Sequence, residues 1–509
     1  MRVRSQIPGL LPITTRLNIL APSMLLLASC LIVLISGLPP KGSTLDYPIS
    51  VLSAARVASG ELPYLDFQVL YGPLQHIVLG GLIRLFRSSA PAFVANIFFV
   101  FPLILFFVLQ ALRMRSLRET RPWLFYALSI YSLLMSGLIG YCAFYSGWAI
   151  LMCLLCLHLI EAVTRAEASL GSGLGIAALL GVTTIAVVLW RFNFGVYVAI
   201  ASTACLSWGI LSNARQRRVL IIAAACYFGT LVVVGGSLLS TGIGWAFAVD
   251  IADYLPRFKT REWNLVQTLR SHPHEWPVVL VFVSGLAVLG SLVVNGIRGH
   301  LSATWPYLAS LLVFFIHYLY VRPDYWHAYP LICFLPTFCW CALKTNAAPA
   351  EVDDCWAGRM ARGTACVALG SAVVLYVGLS ANFLYSQRGF WKRTATGEPL
   401  VNVRHFVGAK DVNFLVLNQI RNELGLSGDV LWMNLPGESE SPLSQGTDIS
   451  FYLLDGSLPK TRVWFFDPPI TSFAENQHKL VDEIESHAIR HVVIQSSICL
   501  LYTSDAADE

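Results

Sequence analysis

The sequence predicts a mainly α-helical, polytopic membrane protein with a small α/β domain near its C-terminal end, and three observations predict it. Of the 509 residues, 56% are hydrophobic and only 13% charged, whereas soluble domains carry about 25% charged residues. The mean hydropathy is +0.62, and the deficit of charge is spread over twelve apolar segments, as expected where lipid is the solvent and charged groups are expensive. After residue 385 the composition turns to that of a soluble chain.

Arg2, Arg4 and Arg16 precede the first apolar run, 17–38. That run is too long for a signal-peptide core and lacks a small-residue cleavage site before Pro39 and Pro40, so it reads as a retained first span with a cytoplasmic N-terminus. The loop 39–72 is then on the outer face. Eleven further apolar segments lie at 73–87, 90–112, 123–140, 145–162, 173–190, 195–212, 219–240, 277–297, 303–321, 328–343 and 363–384. Arg215, Arg217 and Arg218 mark one cytoplasmic turn, Arg298 another, and Lys344, Arg359 and Arg362 a third, by the bias of basic residues toward the cytoplasm. Counting spans from these turns puts 241–276, the RPDYWH turn at 322–327, and everything after Leu384 outside.

One segment conflicts with that count. If 73–87 crosses, then Arg113, Arg115, Arg118 and Arg121 lie outside, against the charge rule. The segment is short for a span of about 20 residues, and Arg84 and Arg87 end it. Either it is re-entrant or the basic turn is an exception; an N-inside, C-outside chain needs an odd number of crossings, so about eleven spans are expected.

The polar part contains short β-favouring runs at 429–434, 462–466 and 491–495, with a charged, helically spaced stretch carrying Leu480, Ile484 and Ile489 between the last two. Strand, helix, strand order argues for parallel pairing in a small α/β domain. No glycine-rich phosphate loop precedes the helix. The expected divisions are a transmembrane part at 1–384, a soluble extracytoplasmic part at 385–498 and a tail at 499–509. The ending LLYTSDAADE resembles a sequence-assembly or adapter read-through, so the natural chain is expected to continue further.

Composition also narrows the partners. The net charge of +5 lies in short clusters between apolar segments, not in a basic stripe interleaved with aromatics, which excludes a nucleic-acid partner. Nine of the twelve cysteines fall in these apolar segments and Cys142 sits just past the end of one, where cysteine acts as a small hydrophobe. Cys153 and Cys156 form a lone CxxC without a second pair, and His272 and His274 have no carboxylate in helical register, so no metal site is assigned.

Three polar clusters fall on the outer side. The stretch 44–74 carries Asp46, Arg56, Glu61 and Asp66 with Tyr47, Tyr64 and Tyr71; RFNFG begins at Arg191; and His317, Arg322, Asp324 and His327 sit among Tyr318, Tyr320, Tyr325, Trp326 and Tyr329. Transfer of a sugar from a lipid-phosphate donor wants this set. A carboxylate takes the proton of an acceptor hydroxyl as it attacks the anomeric carbon. Arginine meets the leaving phosphate with a planar fork, and interfacial aromatics, Tyr64 among them, can stack on sugar rings. Plainer roles stand beside these: Asp46 capping a helix, Asp66 bracing a turn, Arg191 snorkelling to headgroups, Arg322 and Asp324 forming a local ion pair, and His327 as an ordinary interfacial residue.

The stretches LDYPISVLSAARVASGELPYLDFQVLYGPL, VLWRFNFGVYVA and YLYVRPDYWHAYPLICFLP, in that order, resemble the GT-C superfamily of polytopic glycosyltransferases. That superfamily includes protein mannosyltransferases, the bacterial aminoarabinose transferase and related lipopolysaccharide-core transferases. The resemblance covers most of 15–400. It implies that Asp46 is the catalytic base with Asp66 supporting the catalytic loop. It further implies that Arg191, Arg322 and His327 contact the donor's phosphate or sugar, and Asp324 and Tyr64 are assigned to substrate binding beside them. The implied partners are a polyprenyl-phosphate-linked sugar, an envelope acceptor and membrane lipid, at a bacterial inner membrane. Asp46 is followed by Tyr47 where the commoner pattern has an acidic pair, so no cofactor is assigned and a divalent metal ion stays open. A transporter or a non-enzymatic scaffold are the alternatives; the first calls for ionisable groups at mid-depth and the second leaves the outer clusters unused.

Overall fold

The computed structural model describes residues 46–69, 71–86, 91–114, 146–165, 170–258, 277–299, 301–321 and 325–343 of the apolar part. Of the polar part it describes 430–435, 458–462, 474–486 and 491–496, with a few isolated positions elsewhere. Within these stretches the apolar part forms the helices α1 (Asp46–Ser59), α2 (Pro73–Leu85), α3 (Pro91–Arg113), α4 (Gly147–Thr164), α5 (Leu170–Trp190), α6 (Phe192–Ser212), α7 (Arg217–Leu239), α8 (Gly242–Phe258), α9 (Pro277–Ile297), α10 (Trp305–Val321) and α11 (Tyr325–Leu343). In five of them, α4, α5, α6, α7 and α9, a stretch of 18 or more residues is long and apolar enough to cross a membrane. These match the spans expected at 145–162, 173–190, 195–212, 219–240 and 277–297. The expected spans at 17–38 and 123–140, and nearly all of 363–384, lie outside the described residues.

Contacts orient the helices. Arg191, at the junction of α5 and α6, marks one end of the bundle: Ser146 at the start of α4 and Tyr318 near the end of α10 both bond to it. The opposite end is marked by Arg113 at the end of α3, which pairs with Glu161 of α4 and lies over the Trp340 ring of α11. Trp208 of α6 meets Trp305 at the start of α10 there, and a Cβ on Gly296 of α9 would enter the same Trp305 ring. Arg113, Arg165, Arg215, Arg217, Arg218 and Arg298 therefore gather at the end away from Arg191.

This arrangement resolves the conflict over 73–87. The α2 helix starts against α5, where a Cβ on Gly72 would sit 2.0 Å from the Leu189 carbonyl oxygen. Phe98 of α3 stacks on Trp190 and its carbonyl accepts from Trp148 Nε1 at 3.0 Å, and α3 then runs away to Arg113. Both helices thus begin at the Arg191 end, so α2 does not traverse the bundle. At 13 residues it is also only about 20 Å long, short of the roughly 30 Å hydrocarbon layer.

The core explains the cysteines. Cys153, Cys156, Cys205, Cys333, Cys339 and Cys341 are buried free thiols among Leu, Phe and Ile side chains, as small hydrophobes should be. In the polar part, β1 (Val430–Leu435) pairs in parallel with β2 (His491–Ser496), Val430 opposite His491, and α12 (Ala474–Ser486) lies between them in the chain with Leu480 buried. The strand expected at 462–466 lies outside the described residues except for Arg462, which sits in a bend.

Candidate functional site

The α1 helix carries the start of the outer loop. Asp46 is its first residue, and by the 3.6-residue repeat it shares a face with Ser50 and Ser53. Gln75 Nε2 of α2 donates to Ser50 Oγ at 3.2 Å, and a Cβ on Gly80 would press on Ala54 and Val57. Contacts advance in the same direction along both helices, so α1 and α2 run side by side and parallel. The start of α1 therefore lies beside the start of α2, which is the Arg191 end.

Gly60 closes α1 in a left-handed conformation, φ 111°, with its N–H on the Val57 carbonyl. The chain then folds into a tight loop. Asp66 is exposed; its Oδ2 accepts from the Leu62 N–H at 2.7 Å and its own N–H returns to the Leu62 carbonyl at 2.9 Å. This braces the turn, the plainer of its two expected roles. Tyr64 holds φ 68°, a conformation rare for a residue with a side chain. Its N–H bonds to the Phe67 carbonyl at 2.8 Å, its hydroxyl donates to the Tyr71 carbonyl at 2.7 Å, and its ring meets Phe247 of α8. Burial pushes the Tyr64 phenol well above its ordinary range, and Asp250 adds to this. At 5% exposure Tyr64 is a pillar of the loop and does not offer its ring face to solvent.

Arg191 is the centre on which the outer clusters meet. It caps α6 in an extended conformation, its N–H on the Val187 carbonyl at 2.7 Å, so α5 and α6 turn back on each other with one residue between them. Gly195 permits that turn: a Cβ there would lie 2.3 Å from Val188 Cγ2. The guanidinium donates from Nη2 to the Tyr318 hydroxyl at 2.7 Å and from Nη1 to Ser146 Oγ. It lies over the Tyr71 ring at 5.1 Å and near the rings of Phe194 and Tyr318. Tyr318 in turn packs on the His327 ring at 4.6 Å between centroids, His327 being 8% exposed at the start of α11. Opening loop, RFNFG turn and late turn are thus in one place.

The other expected residues divide. Arg322 and Asp324 lie outside the described residues. His317 is exposed, whereas its neighbour Tyr318 is buried and faces Arg191, so His317 does not join the site. Among the described residues no group of three or more His, Cys, Asp or Glu side chains could hold a metal ion. Ser146 joins the site without any signal in its sequence neighbourhood, and Tyr71 and Tyr318, which the sequence offers only as aromatic surroundings, touch Arg191 directly.

The loop also reaches the polar part of the chain. Arg56, in the last turn of α1, is 2% exposed and bonds Glu61 Oε2 from Nε at 2.8 Å and the Thr461 carbonyl from Nη1 at 2.8 Å. Its guanidinium lies 4.4 Å from the Phe67 ring centre. Burial pulls it below its ordinary value, and Glu61 opposes the shift.

No protein-family model matches this chain, and no curated protein sequence does. Among solved structures it is similar to the archaeal oligosaccharyltransferase AglB from Archaeoglobus fulgidus in complex with an inhibitory peptide and a dolichol-phosphate. The identity is 12% and the TM-score 0.43, over 72% of this chain and 56% of that one. It is also similar to the Archaeoglobus fulgidus oligosaccharyltransferase tethered with an acceptor peptide containing the NVT sequon, at 12% identity and a TM-score of 0.39, over the same shares. This chain spans little more than half the length of those proteins.

Proposed function

We propose that this chain is a membrane-embedded glycosyltransferase that moves a sugar from a polyprenyl-phosphate donor to an envelope acceptor, whether lipid, polysaccharide or protein. The observation that carries the reading is the meeting of Tyr71, Arg191, Tyr318 and His327 at one end of the bundle, the end where α1 begins with Asp46. Three stretches far apart in sequence supply one cation, one imidazole and a wall of aromatic rings, which is a recognition surface for a phosphorylated sugar.

In the reaction, the Asp46 carboxylate accepts the proton of the acceptor hydroxyl while its oxygen attacks the anomeric carbon. The bond from that carbon to the phosphate oxygen breaks, and the polyprenyl phosphate leaves with the electron pair. Arg191 meets the charge that develops on the phosphate, with His327 beside it through Tyr318; Arg322 is assigned to the same phosphate by the sequence resemblance alone, and Asp66 holds the loop that presents Asp46. Arg191 is fixed beforehand by Ser146, Tyr318 and Tyr71, so little reorganisation accompanies charge development.

The basic residues at the far end of the bundle make that end cytoplasmic and the Arg191 end extracytoplasmic. The 385–498 part then lies outside with the acceptor, in a plasma membrane of bacterial type. The test is incubation of the purified protein with radiolabelled polyprenyl-phosphate sugars and a panel of envelope acceptors. Transfer to one acceptor is the expected result; neither transfer nor donor hydrolysis across the panel would overturn the reading.

A further inference from the structure

The segment 458–462 lies across the outer loop although some four hundred residues separate them in sequence. The Thr461 carbonyl accepts from Arg56, the Arg462 carbonyl accepts from the Gln68 N–H at 3.0 Å, and Arg462 Nη2 donates to the Tyr64 carbonyl at 3.0 Å. On its other side the Arg462 N–H is held by Glu483 Oε2 of α12 at 2.6 Å. The loop passes the contact on: the Tyr64 hydroxyl holds the Tyr71 carbonyl, and the Tyr71 ring lies on Arg191.

Two features show that this loop is incomplete without the segment. Arg56 is a buried cation whose donors have to be met: Glu61 takes Nε and Nη2, and Thr461 takes Nη1 from the far end of the chain. The left-handed Tyr64 persists only where its surroundings over-determine it, and Arg462 binds its carbonyl. We propose that segment 458–462 is a positioning strap for the Arg191 site, holding Tyr71 against the guanidinium through Arg56 and the 64–68 backbone. Arg56 and Arg462 are then positioning residues for the transfer reaction, and the part of the chain that lies toward the acceptor sets the geometry on the donor side. The consequence for binding rests on reading Arg191 as the donor-phosphate contact.

The experiment uses the full chain in detergent with Arg462→Ala, at an exposed position, and Arg462→Lys, which keeps a cationic donor. Hydrogen exchange of the 64–69 amides and the Kd for farnesyl phosphate are read together with the melting temperature. The alanine variant is expected to exchange about tenfold faster in the loop, as for loss of one charged hydrogen bond. It is also expected to bind farnesyl phosphate severalfold more weakly with an unchanged melting temperature, and the lysine variant to recover both. Wild-type exchange and affinity in Arg462→Ala would overturn the strap, and faster exchange with unchanged affinity would overturn its link to the site. If the wild type binds no farnesyl phosphate while the variant's loop exchanges faster, the strap stands and the donor reading falls.

Discussion

Arg191 and Tyr318, 127 positions apart, are joined by a 2.7 Å hydrogen bond that ties the α5–α6 junction to the end of α10. The planar fork of Arg191 uses its second arm on Ser146, so its direction is set before any ligand arrives. Arg191→Lys keeps the charge and loses the fork. The expected result is a 10- to 100-fold rise in the KM for the lipid-phosphate donor, roughly the worth of one charge-assisted hydrogen bond. Steady-state kinetics over a donor concentration series measure it, and an unchanged KM would count against a phosphate contact.

At the far end, Glu161 receives two bonds from Arg113, whose side chain is 4% exposed. Glu161→Leu strands a buried guanidinium and is expected to cost about 3–5 kcal/mol, whereas the double change with Arg113→Met is expected to recover most of that. Thermal unfolding of the two variants in one detergent makes the comparison.

Two glycines separate crowding from simple helix propensity. Gly72→Ala forces a Cβ to within 2.0 Å of the Leu189 carbonyl, while Gly173 has nothing within 4 Å. The first is expected to destabilise by about 3 kcal/mol or more, and Gly173→Ala to be neutral or stabilising by up to about 1 kcal/mol. Equal melting temperatures for the two would contradict the close packing of α2 on α5.

His76 of α2 is fully buried, and burial pulls it down to about 3 from 6.5, with the nearby Ser50 backbone opposing. Below pH 6.5 the unfolded chain binds a proton that the folded chain refuses, so stability is complete above that pH and falls as pH drops. By pH 5 the loss is about 2 kcal/mol. His76→Gln is expected to flatten the melting temperature between pH 6.5 and 5; an equally steep profile in the variant would place the acid sensitivity elsewhere.

The helices were legible because apolar length is a local property: α4 to α7 and α9 fall where hydropathy put them. The status of 73–87 was not, since its 13-residue helix is set by what Gly72 and Phe98 touch, and contacts with Leu189 and Trp148 have no local signature. The site divides the same way. Arg191 stood out as a cation between two spans, and Tyr318 and His327 as part of a polar turn. Arg56 did not, because its partner Thr461 lies 405 residues away. Asp66 could be read as acid or brace, and the bond to the Leu62 N–H favours the brace.

Asp46, at the first position of α1, is the residue proposed as the base in sugar transfer from a polyprenyl phosphate. Single-turnover transfer of radiolabelled sugar by Asp46→Asn, beside wild type at matched donor occupancy, tests it most directly. The expected result is a fall of about 10²- to 10⁴-fold in the transfer rate with donor affinity and melting temperature retained. Transfer at the wild-type rate by that variant would contradict it.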